Sequence, residues 1–152
     1  MLFLQNSLKP FPKWWPISVF AVSFLGFLDA SYLTISYVTK TSVECSFVHG
    51  CDVVLTSSYA TVGGIPIALF GVLYYLTMLL SLIAFLDWKK IVFLEIVLML
   101  PLAGFFVSAG LVGLQMFVLK AFCLYCLVSA FLTLLLFFLA LYGFHKQKLS
   151  SV

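Results

Sequence analysis

The four cysteines are the residues of this sequence most suited to chemistry. They fall in two pairs, Cys45 and Cys51 in the run CSFVHGC, and Cys123 and Cys126 in CLYC. Positions three apart on a helix share a face, and their Cα separation of roughly 5–6 Å suits a disulfide. CLYC opens a long apolar run, so it stands at a helix N-terminus, where the helix dipole favours a thiolate and lowers a thiol's pKa. Thiolate is the species that performs disulfide exchange. A pair on a loop can collect electrons from a soluble protein, and a pair at a membrane boundary can hand them to something dissolved in lipid. Two other readings stay open. The pairs can be structural disulfides, although a CxxC closes a tiny loop and removes little chain entropy. They can also bind zinc, although such sites use two short knuckles and the first pair has five intervening residues. His49, between Cys45 and Cys51, can tune them, bind metal, or simply be solvated.

The elements that position these cysteines follow from composition. Of 152 residues, 64% are apolar and 9% charged, with a mean hydropathy of +1.23. Soluble domains carry about a quarter charged residues. Most of the apolar surface must therefore meet lipid, or other helices within lipid. Spans of roughly 20 apolar residues are found at about Ile17–Val38 and Ile65–Leu86. The stretch from Ile91 to Phe144 is too long for one span and divides where Gln115 and Lys120 interrupt it. It gives helices at about Ile91–Leu114 and Phe122–Phe144. The prediction is an all-α membrane protein of one domain, residues 1–152, built as a four-transmembrane-helix bundle. Its first outer loop, about Thr39–Gly64, has a short helix around Val53, Val54, Leu55 and Tyr59. Gly63 and Gly64 suit a tight turn, and Pro66 suits the first turn of a helix.

The net charge of +3 comes from lysines with no arginine. They flank hydrophobic runs, which gives no case for nucleic-acid binding. Lys9, Lys13, Lys89, Lys90, Lys146 and Lys148 fall on one side of four alternating helices, and only Lys40 and Lys120 on the other. Lysine-rich short loops stay in the cytoplasm. Both termini are thus expected there, with all four cysteines outside, where disulfides persist. Trp14, Trp15 and Trp88 fit a belt at the cytoplasmic interface.

Cys45 and Cys51, Ser57 six residues on, GIPIALFGVLYY at the second helix and CLYC at the fourth closely resemble the vitamin K epoxide reductase family in its bacterial form. GFLDASYLT in the first helix resembles it too. The likeness covers about residues 17–144. It implies a four-helix bundle around a quinone (ubiquinone or menaquinone), open to the periplasm in a bacterial inner membrane. It also implies an enzyme that reoxidises a thioredoxin-like (DsbA-like) protein and passes the electrons to quinone. Carried over by position, Cys45 would exchange with the partner, Cys51 would reduce Cys123, and Cys126 would face the quinone. Many bacterial relatives carry a fused thioredoxin-like domain. This chain ends soon after the fourth helix, so a separate partner is expected.

The resemblance also places Ser57, Ser58 and Tyr59 over the quinone pocket, where a hydroxyl can bond a ring oxygen. Ordinary loop polarity explains them equally well. Phe122 and Tyr125 flank the CxxC cysteines and are expected to wall the pocket. Asp29 falls near the middle of the first helix, where a carboxylate costs about 2.5–3.5 kcal/mol on insertion scales. It is read first as a protonated acid bonded to a neighbouring helix, and second as functional. The resulting function is a membrane thiol–quinone oxidoreductase that drives disulfide formation. The alternatives are reduction of vitamin K epoxide or quinone in a nutrient cycle, and a non-catalytic subunit with structural disulfides.

Overall fold

The computed structural model describes residues 11–39, 54 and 57–150. Cys45, Cys51 and His49 lie outside the described residues. Four helices run through the chain: α1 (Trp14–Thr39), α2 (Ile67–Trp88), α3 (Ile91–Leu114) and α4 (Leu124–Ser150). Each contains a segment long and apolar enough to cross a bilayer. The expected third helix has the bounds found. The first starts three residues earlier than expected and takes in Trp14 and Trp15.

Local signals account for the helix ends. Pro66 is extended, with φ −63° and ψ 135°, and caps α2 rather than entering its first turn. Lys89 adopts a left-handed conformation, φ 50°, and its N–H returns to the Phe85 carbonyl at 2.9 Å. Two residues therefore suffice to turn α2 into α3. The break expected near Gln115 is a π-helical turn, Gln115–Leu119, closed by Lys120 at φ 48°.

Between α1 and α2 the expectation of one short helix is only partly met. Val54 is helical and Ser58–Ala60 forms a 3-10 turn, with Tyr59 exposed; Val53 and Leu55 lie outside the described residues. After it comes a minimal hairpin, β1 (Thr61–Val62) against β2 (Ile65–Pro66). Gly63 and Gly64 join the strands with φ of 61° and 85°. A two-residue connection with both φ positive fits the right-handed strand twist, and glycine reaches it without strain.

The helices form a closed ring of neighbours, α1 against α2 and α4, and α3 against α2 and α4. Packing is uneven along the bundle. At the end that carries Lys89 and Lys90, a core forms from Trp15, Val19, Met78, Leu82, Leu94, Val97, Leu98, Leu136 and Ala140. Trp15 is fully buried there and its indole N–H donates to the Leu139 carbonyl at 2.9 Å. Gly143 leaves the room that Trp15 and Leu98 occupy. Phe11 stacks on Trp15 at 4.5 Å and lies 5.8 Å from the Lys146 ammonium, so the start of α1 and the last turns of α4 share this end. The opposite half, toward Cys123, is not filled in this way.

Candidate active site

Cys123 is the N-cap of α4. Its carbonyl accepts the Leu127 N–H at 3.0 Å, the first bond of the helix. Its Sγ accepts the Cys126 N–H at 3.4 Å. Spacing the cysteines three apart puts them at the N-cap and third helical positions, the two that a capping side chain links. Both are free thiols, Cys123 fully buried and Cys126 partly.

Gln115 holds this turn in place. Its carbonyl accepts the Lys120 and Ala121 N–H groups, and its side-chain Oε1 accepts the Cys123 N–H at 3.0 Å. It is 3% exposed. A buried N–H without an acceptor costs about 1–3 kcal/mol, so this one amide secures the backbone of the reactive pair. In the sequence Gln115 signals only an interruption of the apolar run.

Above the pair sits Val54, packed on Cys123 with Leu119, Ala121 and Tyr125 around them. Ser57 fastens this segment, its Oγ donating to the Val54 carbonyl at 2.7 Å.

Below the pair lies a cavity of about 340 Å³ among all four helices, a size within the roughly 300–1,000 Å³ of small-molecule pockets. On α4 it is lined by Cys126, Ser129, Ala130 and Thr133, the i, i+3, i+4, i+7 spacing of one helical face. Cys126 is thus the thiol that faces the cavity, and Cys123 is the one beneath Val54. Ser57 and Tyr59 border the cavity, and the Ser57 proton is already committed to Val54. Of the Ser58 side chain nothing is described. Phe122 and Tyr125 depart from the expected placement and stand outside the lining. Tyr125 is one residue, about 100°, off the Cys126 face, and it packs on Tyr32 at 5.1 Å between ring centroids. Phe122 precedes the helix and is 38% exposed.

Two neighbouring tyrosines of α2 border the same cavity. The Tyr75 hydroxyl lies 3.0 Å from the Ser129 carbonyl and 3.1 Å from both the Ser129 and Thr133 hydroxyls. It ties α2 to α4. Its ring fills the space beside Gly26, where a Cβ would overlap it. The Tyr74 hydroxyl is buried and has no hydrogen-bond partner among the described residues. Asp29 precedes Ala30, a lining residue of α1, and its Oδ2 is likewise buried without a partner among those residues. The helix-to-helix bond expected of Asp29 is therefore not found among them.

The electrostatics favour a reactive Cys123. The Cys126 thiol hydrogen-bonded to it lowers its pKa, burial opposes this, and the N–H groups of Cys126 and Tyr125 lower it further. The Asp29 charge raises it, as the weakest of these influences. The net direction is below the ordinary 9.0, so the thiolate persists to lower pH. In reduced protein lacking Cys45 and Cys51, thiolate ultraviolet absorbance should titrate with its first midpoint below that value. Cys126→Ala should move the midpoint upward by removing the strongest influence. An unchanged midpoint would mean that the Cys126 thiol does not tune Cys123.

The sequence profile described as "Vitamin K epoxide reductase family" matches residues 17–141. The chain belongs to the vitamin K epoxide reductase family. The family's description is that of a reductase, and the chain's four apolar helices are each long enough to cross a membrane. A curated relative is the "Thiol-disulfide oxidoreductase LTO1" of Arabidopsis thaliana, 32% identical over 134 residues. The match spans 82% of this chain and 35% of the relative. The chain therefore spans about a third of that protein's length. Within the family match lie all four cysteines, Gln115, Tyr74 and Tyr75.

Proposed function

We propose that this chain is a membrane thiol–quinone oxidoreductase that reoxidises a separate thioredoxin-like protein and so drives disulfide formation. The observation that carries the reading is the placement of the CxxC pair between two compartments. Cys123 touches the loop segment at Val54 and Cys126 borders the cavity. Cys51 is three residues from Val54 in the chain, a reach of at most about 10–11 Å. The reading has the Cys51 thiolate attack Cys123 from that loop segment. The relative's name supports disulfide exchange as the chemistry.

In the net reaction the partner's dithiol becomes a disulfide, and two electrons and two protons pass to the quinone. The quinone serves only as that sink. The chain's residues do the rest. Cys45 and Cys51 receive the electrons, Cys123 passes them on as the low-pKa thiol, and Cys126 releases them into the cavity. Val54 and the Ser57 bond cover the pair. The apolar cavity walls and the unpartnered Tyr74 hydroxyl fit a ring with polar oxygens. The purified chain in detergent, given a reduced thioredoxin-like donor and decylubiquinone, should consume both in equal amounts. Donor oxidation that proceeds unchanged without quinone would defeat the reading.

The lysine distribution supports an orientation with both termini in the cytoplasm, and the reading takes the membrane to be a bacterial inner membrane with the cysteine pairs facing the periplasm. Reporters fused after Val152 and in the Lys89–Lys90 turn should both give cytoplasmic signals. A periplasmic signal at either site would invert the topology and put the reactive pairs in a reducing compartment.

A further inference from the structure

We infer that Tyr74 positions the quinone, its hydroxyl donating a hydrogen bond to a ring carbonyl oxygen in the cavity below Cys126. The inference rests on the quinone reading above and adds to it the residue that fixes the ring. Three observations on the cavity point to Tyr74.

The first is the missing partner. Tyr74 borders the cavity, and its buried hydroxyl has no hydrogen-bond partner among the described residues. Buried hydroxyls are ordinarily satisfied, so an unpartnered one on a cavity wall suggests a ligand acceptor. The second is the contrast with the other hydroxyls of the wall. Ser57 donates to Val54, Tyr75 is engaged with Ser129 and Thr133, and the hydroxyls of Tyr37, Tyr59 and Ser108 are not among the buried unpartnered atoms of the described residues, whereas that of Tyr74 is. A quinone carbonyl only accepts hydrogen bonds, so it needs a donor whose proton is not already committed, and Tyr74 is such a donor. The third is the room made for the phenol. Gly104 of α3 faces it, and a Cβ there would come within 2.8 Å of Tyr74 Cε2, Cζ and Oη. On the other side, the Tyr75 ring packs edge-on at 4.9 Å between centroids. The phenol is held on two sides with its hydroxyl unbonded, the preorganisation a ligand donor needs.

Tyr74→Phe is the test, because it removes one oxygen and keeps the ring against Gly104 and Tyr75. Decylubiquinone labelled with ¹³C at its ring carbonyls is the probe. In the wild type a carbonyl band in the infrared should sit below its frequency in detergent alone, as a hydrogen-bonded carbonyl does. In Tyr74→Phe that shift should vanish and the dissociation constant should rise about tenfold, the order expected for one lost hydrogen bond. The melting temperature of the ligand-free variant should be equal or higher, since an unpartnered hydroxyl is gone. Binding with an unchanged band and affinity in Tyr74→Phe would overturn the role of Tyr74 and leave the quinone reading standing. So would a fall in melting temperature that accounted for the weaker binding. A wild type that binds no quinone would overturn the quinone reading itself, and this inference with it.

Discussion

Cys126→Ala should abolish quinone reduction, down to the rate without enzyme, while the loop pair still exchanges with a soluble dithiol. Cys126 is the cysteine on the cavity face of α4, and Cys123 lies under Val54 with no place in the cavity lining. Exchange proceeds through mixed disulfides, each resolved by a second thiol. In the proposed relay the partner's thiolate would attack Cys45 and release Cys51, and the Cys51 thiolate would attack Cys123 in the Cys123–Cys126 disulfide and free Cys126. Without Cys126, the Cys123 thiolate can still attack Cys51 in an oxidised Cys45–Cys51 pair and release the Cys45 thiolate, and no Cys126 thiol competes for Cys123, so a Cys51–Cys123 disulfide should accumulate within the chain. Cys51→Ala should instead hold on Cys45 a partner whose second cysteine is removed and whose first carries thionitrobenzoate, since the Cys45 thiolate displaces that leaving group and no neighbouring thiol resolves the new disulfide. Non-reducing gels with mass spectrometry distinguish the two species. A partner trapped on Cys51 would reverse the two loop roles. Four cysteines locked in pairs that resist reductant would hand the argument to structural disulfides.

The largest expected effect on stability belongs to Gly26. A Cβ at this position overlaps the Tyr75 ring, and that ring's hydroxyl joins α2 to two residues of α4. Gly26→Leu must push the ring aside, which unpairs buried hydroxyls and reshapes the cavity wall together. Overpacking alone costs about 1–3 kcal/mol, and broken polar contacts within a membrane add about 0.6 kcal/mol each on average. Folded protein recovered in detergent should fall severalfold, and the remainder should melt earlier than wild type. Tyr75→Phe, which keeps the ring, should lose much less. A Gly26→Leu protein with wild-type abundance and melting temperature would show that α1 and α2 do not depend on this close approach.

The helices were legible because a bilayer imposes a length, and because few residues interrupt the runs. Lys89 and Lys90 separate α2 from α3, and Gln115 and Lys120 mark where α3 gives way to α4. The reactive pair was legible because cysteine spacing and a helix start carry their own chemistry. What escaped is what depends on direction around a helix. Each helix is apolar on every side, so neither period nor polarity separates a cavity wall from a lipid-facing one. That is why Tyr125, one residue from the cavity face, was expected on the wall. Tyr74 and Tyr75 are adjacent and identical in type, yet among the described residues the Tyr75 hydroxyl is bonded and the Tyr74 hydroxyl is not. Only the positions of Ser129 and Thr133 on the facing helix decide which. The role of Gln115 was hidden for a related reason, since an amide that caps a backbone N–H eight residues on leaves no periodic trace. The hairpin at Gly63–Gly64 was read as a turn without strands, because two residues a side are too few to show alternation.

The N-terminal cap of α4 is also one of the reactive atoms. Cys123 Sγ accepts the Cys126 N–H, and a negatively charged sulfur accepts a hydrogen bond more strongly than a disulfide sulfur does. The first turn of α4 therefore favours the reduced pair over the oxidised one. By linkage, whatever stabilises one redox form shifts the couple toward it, as the stabilised reduced form makes DsbA a strong oxidant. A cap is worth about 1 kcal/mol, which for a two-electron couple is about 20 mV. The sign is toward a more positive potential. In the proposed relay the helix end would make Cys123–Cys126 readier to take electrons from the loop pair, and a secondary-structure boundary would become part of the driving force for electron flow.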